Sequence, residues 1–61
     1  MTQYITIIIR KDETTIVNHG DDCIKAEEYE SNLRAISVIK YSKTFGNIHG
    51  SQYVTVYEIE G

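Results

Sequence analysis

Tyr4-Ile5-Thr6-Ile7-Ile8-Ile9-Arg10 decides how this chain folds. Its β-branched and aromatic residues follow a near period-two order, which predicts a half-buried strand over residues 3–11. Ile5, Ile7 and Ile9 lie on one side of such a strand, and Tyr4, Thr6 and Ile8 on the other. Near the other end, Tyr53-Val54-Thr55-Val56-Tyr57-Glu58-Ile59-Glu60 alternates in the same way. With Ile5, Ile7 and Ile9 facing a helix, Tyr4 and Thr6 face outwards. With Val54 and Val56 doing the same, Tyr53, Thr55 and Tyr57 join them on the open side. Ile59 shares the parity of Tyr57 and pulls against that assignment.

Working inwards, Lys11-Asp12-Glu13-Thr14 is a short polar turn, and Thr14–Asn18 reads as a second strand antiparallel to the first. His19-Gly20-Asp21-Asp22 ends it, with Asp21 or Asp22 placed to cap a helix over 23–34. Ala26, Tyr29, Leu33 and Ile36 fall on one helical stripe, and Glu27, Glu28 and Glu30 suit the positive end of the helix dipole. The β-branched density of 35–44 favours a strand in a hairpin with 51–60, across a loop, Phe45–Gly50, bracketed by glycines. The alternative is one helix running to about Lys43. The expected fold is a single α+β domain over 1–61, of order ββαββ (alternatively ββαβ). It has a mostly antiparallel sheet with one helix packed on one face. Its expected core is Ile5, Ile7, Ile9, Ile16, Leu33, Ile36 and Val54.

A chain of 61 residues, 41% of them hydrophobic, can build one small core. A buried catalytic cleft would consume that core, so no enzymatic activity is expected. Proline is absent and there are four glycines, so no stretch has the composition of a disordered linker. A lone Cys23 forms no internal disulfide, the N-terminus lacks the layout of a signal peptide, and no apolar run approaches the roughly 20 residues of a membrane span. A cytoplasmic location and no membrane partner are expected. The net charge of −3 and pI of about 5.1 argue against nucleic acid as the partner. Charge is uneven: Asp21, Asp22, Glu27, Glu28 and Glu30 face Lys25 alone, whereas Arg34, Lys40 and Lys43 follow without an acid up to His49.

Few residues carry chemistry. His19, Cys23 and His49, with Asp21 or Asp22, offer zinc-type ligands but not a complete set, and two exposed loop histidines with a small packed thiol are the better account of them. Cys23 as a nucleophile would need a lowered thiol pKa, which Asp21 and Asp22 oppose. No metal, cofactor or catalytic residue is therefore expected. Tyr4, Tyr53 and Tyr57, with Thr6 and Thr55, would give an open sheet face the make-up of an interface, set against the ordinary preference of tyrosine for strands. Base stacking on the same tyrosines is disfavoured by Glu58 and Glu60 beside Tyr57. The carboxylates of Asp21, Asp22, Glu27, Glu28 and Glu30 are either a solvated helix face or a negative row offered to a basic groove. Free strand edges add the possibility of a homodimer.

The order of strand (Tyr4–Arg10), helix (around Ala26–Leu33) and strand (Tyr53–Ile59), with the acidic pI, resembles the small proteins with which phages and mobile elements block host defences, anti-CRISPR proteins among them. The resemblance covers most of the chain and contains no diagnostic motif, so no functional residue is carried over. It implies a stoichiometric inhibitor that occludes a host protein surface. The expected function is thus a non-enzymatic protein-binding module, against a nucleic-acid-binding or regulatory module or a homodimeric structural protein.

Overall fold

The alternating stretch near the N-terminus forms β1 (Gln3–Ile9), and a turn closed by the Arg10 amide donating to the Glu13 carbonyl (2.8 Å) leads into β2 (Thr14–Asn18). The helix α1 (Cys23–Ile36) starts where the Asp22 side chain accepts from the Lys25 amide at 2.9 Å. Two more strands, β3 (Ile39–Ile48) and β4 (Gln52–Ile59), complete the ββαββ order. This computed structural model describes residues 2–48 and 50–60. His49, a possible metal ligand on sequence grounds, lies outside them.

The strands form one sheet in the order β2-β1-β4-β3. Both hairpins are antiparallel, while β1 and β4 meet in parallel at the centre, so the sheet is mixed. The reason is the helical connection. It starts β3 in the same direction as β2, so the two hairpin partners must also point the same way. Of the expected strand 35–44 only 39–44 is strand: Ala35 and Ile36 complete the helix, two residues beyond the expected Arg34, Ser37 caps it, and β3 starts at Ile39. The expected glycine-bracketed loop is shorter than 45–50: β3 continues to Ile48 through pairings of Phe45 with Val54 and Ile48 with Gln52, and Gly50 turns the chain at φ +74°.

The core inverts the expected facing of the sheet. Ile8, Leu33, Tyr57 and Ile59 form the buried cluster, with Tyr29 and Ile39 packed against it, and Thr6 is fully enclosed. Leu33 lies in the core as expected. Ile5, Ile7 and Val54 are instead half-buried on the side the helix does not cover, with Ile9 at its margin and Ile16 67% exposed. The helix side carries the hydroxyls of Thr6 and Tyr57, and the helix offers them half-buried Glu30 and exposed Arg34 as hydrogen-bond partners. Ile36 is 82% exposed. Ten residues beyond Ala26, it stands about 80° off the buried stripe.

Candidate functional site

The helix side of the sheet holds a connected polar network. The Thr6 hydroxyl donates to Glu30 Oε2 (2.7 Å) and lies 2.9 Å from His19 Nε2. A hydroxyl has one proton, so His19 donates to Thr6 and its Nε2 carries the hydrogen. Tyr57 donates its phenol proton to Glu30 Oε1 (3.1 Å) and accepts from Arg34 Nη1 (2.7 Å). The His19 ring also tilts against Tyr29 at 5.0 Å. Burial, reinforced by the Glu30 carboxylate and partly offset by Arg34, pushes the Tyr57 phenol above its ordinary pKa. Each polar group here is satisfied by another, and Thr6 is 0% exposed, so the hydroxyl cannot reach a substrate. The arrangement ties α1 to β1 and β4.

Beside it, between α1 and the β3–β4 hairpin, lies an open cleft of about 230 Å³ bordered by Tyr4, Cys23, Glu27, Arg34, Thr44 and Tyr53. Tyr4 and Tyr53 stack at 5.7 Å with planes 15° apart. Gly46 makes room for Tyr53, since a Cβ there would come 2.9 Å from its ring. Desolvation, with Cys23 and Tyr53 nearby, also raises the Tyr4 phenol.

The expected site residues therefore divide. Tyr4, Thr6, Tyr53, Thr55 and Tyr57 do share a face, but it is the one under the helix. Thr6 and Tyr57 are enclosed within the monomer, Tyr4 and Thr55 are half-buried, and Tyr53 is exposed. Asp21, Asp22, Glu27 and Glu28 are exposed on the helix side, whereas half-buried Glu30 is engaged by Thr6 and Tyr57. The glutamates begin beyond the first turn, so the cap rather than the dipole anchors the helix start. Cys23 is exposed and unbridged rather than packed, and His19 is buried rather than a free loop histidine. Among the described residues no group of three or more His, Cys, Asp and Glu side chains is arranged to hold a metal ion. Nor is any helix among them long and apolar enough to cross a membrane.

The surface that sequence reasoning assigned to the interior is the uncovered side. The register places Ile5, Ile7 and Ile9 of β1 beside Val54 and Val56 of β4, with Ile16 of β2 flanking Ile7. Phe45 lies next to Val54 on β3, 40% exposed, with Lys43 Nζ 5.1 Å from its ring centre. Lys40 and Lys43 of β3 and Glu58 of β4 are charged on this side, with Lys40 and Glu58 paired at 3.7 Å. The signal for this facing was Ile59, whose parity matches Tyr57 and Ile8.

Comparison of the chain with protein-family models, curated proteins and solved structures finds no match.

Proposed function

We propose that this chain is a non-enzymatic protein-binding module whose docking surface is the uncovered sheet face. The observation that carries the reading is the distribution of polarity. The chain encloses Thr6 and His19 on its helix side and leaves a field of isoleucine and valine that the helix does not cover. Soluble folds retain contiguous apolar patches of this kind at contact sites. The absence of catalysis is supported by a polar network whose members satisfy one another. The narrowest form of the reading, implied by the resemblance to anti-CRISPR proteins, is occlusion of a host protein by a phage or mobile-element product.

Chemical cross-linking tests it, with the purified chain alone and in host lysate. Discrete protein adducts are expected, and I16E combined with F45E should remove them. Absence of any protein adduct, together with steeply salt-dependent retention on single-stranded nucleic acid, would replace this reading with the nucleic-acid one.

A further inference from the structure

We infer that the occupant of the uncovered sheet face is a second copy of this chain, stacked face to face with its helix on the outside. The inference deepens the binding-module reading and rests on it.

Three observations favour a second copy. The first is the electrostatic division of the molecule. The chain carries −3 overall, yet Asp21, Asp22, Glu27 and Glu28 are exposed on the helix side. The sheet face holds Lys40 and Lys43 on β3 and Glu58 on β4, a net charge of +1. A two-fold contact sets a patch against itself, so it tolerates a weakly charged patch better than a strongly charged one. Stacking the open faces turns the acidic helices away from each other. Packed sheets lie ~10 Å apart, so the helices beyond them are separated by more than the screening length of about 8–10 Å.

The second is area. Four strands at ~4.8 Å spacing and seven residues at ~3.3 Å give each chain a flat footprint of about 440 Å². Two such footprints approach the ~1,000 Å² that a specific interface requires. The arithmetic describes a reversible, concentration-dependent dimer.

The third is the size of the monomer core. Its buried apolar cluster is Ile8, Leu33, Tyr57 and Ile59, which is small for a chain near the lower limit of independent folding. A two-fold axis along the strands between β1 and β4 lays β1 over β4 of the second copy. Ile5 and Ile7 then meet Val54 and Val56, and a second apolar layer forms between the sheets. In such a dimer the surfaces left to any further protein are the outward helices.

Analytical ultracentrifugation across micromolar to millimolar concentrations tests the inference. The mass should rise from 7.0 kDa towards twice that value. V56K acts on a central strand that no edge pairing uses, and it should weaken association at least tenfold. I16K changes a residue already exposed in the monomer, so it tests the same face without loading the fold, and its circular dichroism should match the wild type. A wild type that stays monomeric throughout overturns the inference. A dimer that survives a folded V56K or I16K also overturns it, because association then runs through the strand edges. A monomeric wild type that still forms face-dependent adducts in lysate leaves the binding-module reading standing, so the two failures are distinguishable.

Discussion

Ile8 is enclosed among Leu33, Tyr57 and Ile59, whereas Ile7, its neighbour in β1, looks out from the uncovered face. Truncating Ile8 to alanine opens a cavity that so small a core cannot collapse around, and should cost about 2–5 kcal/mol. Ile7→Ala should cost clearly less in dilute protein. Urea denaturation of the two variants checks the order, and equal losses would contradict the facing. Tyr57 adds a pH dependence. Its phenol is held above the ordinary value of about 10, so the folded state binds that proton more tightly than the unfolded chain does. The contribution is intact below about pH 10 and disappears as the pH climbs through the raised value. Tyr57→Phe should therefore lower neutral-pH stability by about 1–3 kcal/mol, by leaving Glu30 short of a partner, and should flatten the alkaline limb of the stability curve. Denaturant midpoints from neutral to strongly alkaline pH report both effects.

At the scale of elements, the start of α1 was legible because capping is local: an aspartate side chain reaches an amide three residues on, whatever the rest of the fold does. Asp22→Ala should destabilise the protein by about 1 kcal/mol. Hydrogen exchange should localise the change to the first turn, and uniform loss of protection would point to a wider role. The extent of β3 was less legible. Phe45-Gly46-Asn47 has loop composition, yet it pairs with β4, a neighbour recruited across a turn. Gly46 is retained there because the Tyr53 ring occupies the space of its missing side chain. Gly46→Ala should displace that ring and loosen the Tyr4–Tyr53 stack, which nuclear Overhauser contacts between the two rings would report.

At the scale of the whole molecule, one helix cannot cover both sides of a four-stranded sheet. A partner that binds only the folded state raises stability by mass action, so self-association makes the melting temperature climb with protein concentration. The I16K melt should be flat over the same range, and a flat wild-type melt would speak against pairing. The sequence by itself determined the helix start and the strand character of both ends, since alternation, capping and propensity act over a few residues, while the choice between ββαββ and ββαβ was left to the tertiary structure. It also offered two candidate sets, the tyrosine–threonine parity and the acids around the helix start, and neither of them forms the uncovered face. Which parity meets the helix was decided only in the tertiary structure. Ile5, Ile7 and Ile9 are the more apolar set, but Glu30 and Arg34 sit on the inward side of α1 and need Thr6 and Tyr57 as partners. Thr6 and His19 are the polar residues enclosed there, and half-buried Glu30 supplies the acceptor that the Thr6 hydroxyl would otherwise lack, so the polar partners of the helix favour this face.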